Sequence, residues 1–253
     1  MAVAIEQSAN GSGGGSNVFT MALNFSSTPS VGNLVVVCSR IVKVHQDPAS
    51  YTASDNQGNT YTLKQSVGLN NGSRGKVCIF TAPIGTASGT FTVTFGTTGE
   101  SWDEGKLEGS ISEVSGHNTS STFDQQGSGY GTTTPASVDT SDQQSTTMVF
   151  AAAIQEWDVS LTPSSGWTSI RGNNFFNSCY RTGNYDPSWT LGLSNDWGAV
   201  AVGIAVGTSA TGNPWYYYAQ MAQRIKDKWK NLIRIPSFEE VMAFQPALRK
   251  GAR

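Results

Sequence analysis

The chain has 253 residues, of which 13% are charged, with a formal net charge of −2 and three cysteines. That length can bury a core without metals or disulfides. The odd cysteine count (Cys38, Cys78, Cys179) excludes a complete disulfide framework, and none of the three has metal-ligand spacing. No apolar run approaches the length of a membrane span. The start "MAVAIEQSANGSGGG" lacks a basic segment followed by an apolar one, so no signal peptide is expected. Gly, Ser and Thr are plentiful, as suits an all-β chain with many turns.

Strand patterns begin at once. "AVAIEQ" and "NVFTMAL" read as the first two strands, with "SANGSGGGSN" (Ser8–Asn17) as the loop between them. "NLVVVCSR" (Asn33–Arg40) and "TMVFAAAI" (Thr147–Ile154) are continuous apolar runs whose length and composition favour buried central strands. Cys38 and Cys78 lie in such patterns and are expected as buried thiols. "SDNQGNTY" (Ser54–Tyr61) reads as a hairpin loop with Gly58 free to take positive φ, and Asn71-Gly72 marks a second tight turn. "GTFTVTFG" (Gly89–Gly96) alternates, with Phe91, Val93 and Phe95 on one face.

In "SISEVSG" (Ser110–Gly116) Glu113 interrupts an apolar strand. A carboxylate there is expected to be buried, hydrogen-bonded and fixing a loop. "GSGYGTTTP" (Gly127–Pro135) reads as a surface loop. "WGAVAVGIAVG" (Trp197–Gly207) has Val200, Val202, Ile204 and Val206 on one face and small residues on the other, which suits close packing against a sheet. Roughly a dozen strand candidates at this spacing predict an antiparallel β-sandwich, jelly-roll or immunoglobulin-like, over residues 1–210.

The pattern then changes. Trp215, Tyr218, Met221, Ile225, Trp229, Leu232 and Ile233 fall on one helical face, and Pro236 ends that helix. Ser237 and Glu240 have capping-box spacing for a second helix carrying Phe238, Val241 and Phe244. The segment 211–253 is therefore a helical tail. It is also basic, with eight Lys/Arg against three Asp/Glu, so the remainder of the chain is acidic.

Catalytic patterns are missing from the sequence. His45 and His117 stand apart from any nucleophile-elbow motif, no phosphate loop precedes a helix, and no metal or cofactor is called for. The carboxylates of "SWDEG" (Ser101–Gly105) are adjacent and point to different sides, unlike a glycosidase pair. "DNQGN" lacks the order of a calcium loop. The chain does not read as an enzyme. Trp102, Trp157, Trp167, Trp189 and Trp197 are candidates for a carbohydrate-stacking face, with Trp102, Trp157 and Trp189 the ligand residues of that reading.

The succession "ASDNQGNTYTL", "VCIFTAPI…SGTFTVTF", "ISEVSG", "MVFAAAI" and "WGAVAVGIAV" resembles a β-sandwich module recurring in uncharacterised bacteriophage virion and bacterial surface proteins. The resemblance covers Val18 to Gly207 and brings no catalytic residues. It implies a structural or adhesive role. The expectation is a virion protein, a capsid decoration or tail-associated component made in the host cytoplasm. Its tail, being amphipathic, needs a partner surface: other virion proteins or copies of itself. A carbohydrate-binding adhesion module is the alternative, with surface glycans as partners. Nucleic-acid or membrane contact through the basic tail ranks below both.

Overall fold

A computed structural model describes residues 2–15, 20–43, 51–69, 75–97, 105–119, 122–140, 148–156, 158–183 and 185–207. All of these belong to one compact unit, Met1–Gly207. The expected tail helices over 211–253 lie outside the described residues.

The described chain is all-β and its sheets are antiparallel. Eight strands make up its first half: β1 Ala4–Gly15, β2 Thr20–Asn24, β3 Leu34–Lys43, β4 Thr52–Asp55, β5 Thr62–Gly68, β6 Gly75–Pro83, β7 Thr92–Gly96 and β8 Gly105–Ser115. Eight more follow: β9 Phe123–Gly131, β10 Ala136–Ser137, β11 Met148–Gln155, β12 Leu161–Pro163, β13 Thr168–Gly172, β14 Phe176–Thr182, β15 Ser188–Leu191 and β16 Trp197–Ile204.

They form two five-stranded sheets, β1-β8-β3-β6-β5 and β9-β16-β11-β14-β13, and two three-stranded sheets, β2-β7-β4 and β10-β15-β12. Adding eight to each strand number of the first half reproduces the second half. The chain is a structural duplication, which its sequence did not announce.

The correspondence extends to register. In the first half a bulge at Lys64 of β5 faces Phe80/Ile79, and in the second a bulge at Ile170 of β13 faces Cys179/Ser178. Following the pairings from Phe80 through Val37 and Ile111 to Ala9 matches the path from Cys179 through Ala151 and Ala201 to Gly127. That path places Glu6 opposite Asp124 in the correspondence. These are the residues skipped by a second bulge in each half. Two bulges per half, reached independently, agree.

Three cores separate the four sheets. The central core lies between the five-stranded sheets, where Leu34, Val36, Val77, Ile79 and Val114 meet Phe150, Ile154, Phe176, Val200 and Val202. The outer face of the first sheet carries Val35, Val37, Phe80 and Ile111 against Phe91, Val93 and Phe95 of the small sheet. On the far side, Ala151, Ala153, Ala199 and Ala201 lie beneath Trp189 and Leu191. The five-stranded sheets are thus covered on both faces, which is why β3 and β11 are apolar without alternation. Burial of each large apolar side chain here contributes about 1.5–3 kcal/mol.

Several expectations need correction. The stretch 8–15 is not a loop: β1 runs through to Gly15, paired to β8, and residues 16 and 17 lie outside the described residues. Gly127–Gly131 is not a surface loop but the end of β9. A Cβ at Gly129 would lie 2.5 Å from the Ser137 carbonyl, so glycine admits a crossing chain. Gly58 has the expected positive φ of 81°, but its turn joins β4 to β5 in different sheets and closes no hairpin. The turn is held by Asp55, whose Oδ1 accepts from the amides of Gln57 (2.9 Å) and Asn59 (3.1 Å).

Candidate functional site

The face-to-face packing of the halves creates two seams. β1 lies by β13 along one, and β5 lies by β9 along the other. The duplication relates the seams, so equivalent positions can be compared directly.

The β1/β13 seam is polar. Glu108 of β8 is an ion-pair partner of Arg40 on β3 (2.6 Å) and of Arg171 on β13 (2.9 Å). Asn173 donates to Glu108 Oε1 at 2.7 Å, and Arg40 donates to the Phe175 carbonyl at 3.2 Å. Asn10 of β1 donates to the Ile170 carbonyl at 3.0 Å. Burial lowers the Arg40 pKa, and Glu108 opposes that by favouring the charged guanidinium. Nearby, the hydroxyls of Ser110 and Ser178 meet at 2.8 Å inside the protein. These groups partner one another across the two halves, so the chemistry is that of a lock. This charged cluster was not recognised in the sequence, because Arg40, Glu108 and Arg171 lie on three strands far apart in the chain.

The β5/β9 seam has a different character. Where Ile170, Tyr180 and Ile5 pack against the central core, the equivalent residues are Lys64, Thr81 and Phe123. A cleft of about 260 Å³ lies here, with Thr81 in its lining where the other seam has Tyr180. Its polar lining is Lys64, His117, Thr62, Thr81, Thr119 and Thr122. Leu34, Pro83 and the Phe123 ring supply apolar surface. Lys64 Nζ rests 3.8 Å from the centre of the Phe123 ring, a cation–π contact. Partial desolvation lowers the Lys64 pKa. His117, 7% exposed, has its pKa lowered by burial, against a backbone hydrogen bond to Val114 that raises it. Its buried Nδ1 has no partner.

Glu113 meets its expectation. It is buried, and Oε1 accepts from the Ser30 amide (2.7 Å) and Asn33 Nδ2 (2.6 Å), while Oε2 accepts from Gln7 Nε2 (2.7 Å). Gln7 in turn accepts from the Ser27 amide at 3.1 Å. The carboxylate thus pins the segment between β2 and β3, satisfying amides that would otherwise be stranded.

The tryptophan face is corrected. Trp189 is 0% exposed and donates Nε1 to Asn177 Oδ1 at 3.1 Å, so it presents no ring to a ligand. Trp167 and Trp197 are buried in the same outer core. Burial wins because the alanine faces of β11 and β16 leave depth for indole rings above them. Trp102 and Trp157 lie outside the described residues. So do the tail residues Trp215, Tyr218, Met221, Ile225, Trp229, Leu232, Ile233, Phe238, Val241 and Phe244, and His45. Among the described residues no group of three His, Cys, Asp or Glu could hold a metal ion.

Fold and cleft define an all-β body of stacked antiparallel sheets with a recess at the β5/β9 seam whose lining includes Lys64 and four threonines. Comparison of the chain with protein-family models, curated proteins and solved structures finds no match.

Proposed function

We propose that this chain is a structural protein of a bacteriophage virion, a capsid decoration or tail-associated component. The β body is displayed, and the segment 211–253 attaches it to other virion proteins or to further copies. The observation carrying this reading is the twice-used strand order, with first beside last, third beside sixth and second beside seventh. We read each half as a variant jelly roll, two nested Greek keys with the fifth strand moved to the larger sheet. This architecture serves in viral capsid and lectin domains. Doubling it covers both faces of each large sheet, which suits a robust exposed module. The amphipathic basic pattern after Thr211 supports an attachment role, since such a helix needs a surface to cover its apolar face.

The direct check is mass spectrometry of gradient-purified particles from cells carrying this sequence. Copy numbers in fixed ratio to the major coat protein support the reading. Abundance in the lysate with exclusion from particles overturns it. Light scattering on the full chain and on a chain ending at Gly207 then tests the attachment role. The full chain should bind particles or self-assemble, and the truncated one should do neither. The alternative of a glycan module reading through Trp102, Trp157 and Trp189 loses Trp189 to the core.

A further inference from the structure

We propose that the β5/β9 cleft is a binding site for a single acidic sugar, a hexuronate or a chemically similar ring bearing one carboxylate. The inference rests on the cleft alone and holds whether or not the protein resides in a virion.

The two seams are built on equivalent strands in the same register, yet Ile170 and Tyr180 pack against the central core at only one of them. At the equivalent positions Lys64 and Thr81 replace Ile170 and Tyr180, while Phe123, like Ile5, still packs against the central core. A merely eroded seam would be expected to carry smaller apolar residues. Here Lys64 and four threonines are among the residues that line the space.

The lining selects the ligand. Among the described residues that line the cleft, Lys64 is the charged one. A partly desolvated ammonium favours an anion. The threonine hydroxyls donate and accept, as ring hydroxyls require. Leu34, Pro83 and the edge of Phe123 can cover an apolar sugar face. A cleft of about 260 Å³ suits one such ring and not an oligosaccharide. An inorganic anion would leave the hydroxyls and the apolar wall unused, and a neutral sugar would leave Lys64 with no counter-charge, only the Phe123 ring.

The test is saturation-transfer and titration NMR on the full chain with glucuronate, glucose and sulfate in turn. Glucuronate should bind saturably, with glucose and sulfate each at least about tenfold weaker, the loss of one charge-assisted bond or of the hydroxyl contacts. Lys64→Met should weaken glucuronate by about tenfold or more without shifting the unfolding midpoint. Thr81→Tyr, which copies Tyr180, should close the cleft and abolish binding. Should Thr81→Tyr fail to fold, Lys64→Met decides. The proposal is overturned if glucuronate does not bind, if glucose or sulfate binds as well, or if Lys64→Met leaves the affinity unchanged.

Discussion

Arg40 and Glu108 meet at 2.6 Å across neighbouring strands β3 and β8, and Glu108 reaches at the same time into the other half of the chain, where Arg171 meets it at 2.9 Å. One carboxylate therefore serves two guanidiniums from two structural repeats. At the equivalent positions of the second half stand Ile154, Gly198 and, for Arg171, Gln65 of the first. The ion-pair lock is a property of one seam only.

Glu108→Gln should destabilise the body by about 3–5 kcal/mol, because it leaves the Arg40 guanidinium, 1% exposed, without a counter-charge. Arg40→Met should cost a similar amount. The double variant Arg40→Met/Glu108→Gln should cost less than the two singles together by about 1–3 kcal/mol, the signature of coupled groups. Guanidinium unfolding of the four proteins measures this. Additive single effects would show that the pair is not energetically coupled.

Glycine in β9 is required by backbone, and glycine in β1 by a side chain. Gly129→Ala should cost about 1–3 kcal/mol, since its Cβ would lie 2.5 Å from the Ser137 carbonyl and a main chain cannot turn aside. Gly11→Ala should cost clearly less, because the obstructing atom is Leu23 Cδ2 at 2.8 Å, the end of a side chain with other rotamers. Thermal unfolding of both variants checks the order, and the reverse order would remove the crossing-chain explanation of the glycine-rich strand.

All three thiols are buried, and burial pushes the Cys38 pKa from 9.0 up to about 12, with Cys179 raised well above its usual value. The folded thiol keeps its proton where the unfolded one loses it. Above pH 9 the unfolded state binds fewer protons, so this contribution is fully present below pH 9 and is lost as pH rises toward 12. The slope per thiol approaches roughly 1.4 kcal/mol per pH unit. Denaturant unfolding between pH 8 and 10 should show the decline, lessened in Cys38→Ala once its own cavity cost is subtracted (the expected range is roughly 8–10, set by the unfolded thiol). A thiol reagent at pH 8 should label none of the three before unfolding. Fast labelling of the native protein would contradict the burial.

Much of the body could be read along the chain. Alternation over Gly89–Gly96 is a local property of a pleated strand with one wet face, and it placed Phe91, Val93 and Phe95 in a core. Apolar runs at Leu34–Cys38 and Met148–Ile154 could only be central strands covered on both sides. Glu113 was legible because an acid inside an apolar strand must find donors. Glycine-rich stretches misled. Gly/Ser composition looks the same whether it frees a loop or lets one backbone cross another, and only the neighbour distinguishes the two.

The cleft and the lock were not legible. Lys64 and Thr81 lie on different strands, and Arg40, Glu108 and Arg171 on three. Their meeting depends on strand order and on how one sheet faces another. The duplication was hidden for a related reason: equivalent residues such as Val37 and Ala151, or Phe80 and Cys179, share a position in the ladder but not a side chain. Burial requires an apolar residue of fitting size, and each half repacked its core against a different small sheet.

By itself, then, the amino-acid order determined the all-β class, the central strands, the buried thiols and the buried carboxylate, because each follows from period-two burial or from the cost of an unpaired polar group within a few neighbouring residues. Tertiary structure alone decided that two eight-stranded halves share one topology, that Trp189 is core, that one seam is locked by Glu108 and that the other opens beside Lys64. Those outcomes depend on contacts between strands far apart in sequence, where the same residue type can serve as filler, lock or wall according to what is packed against it.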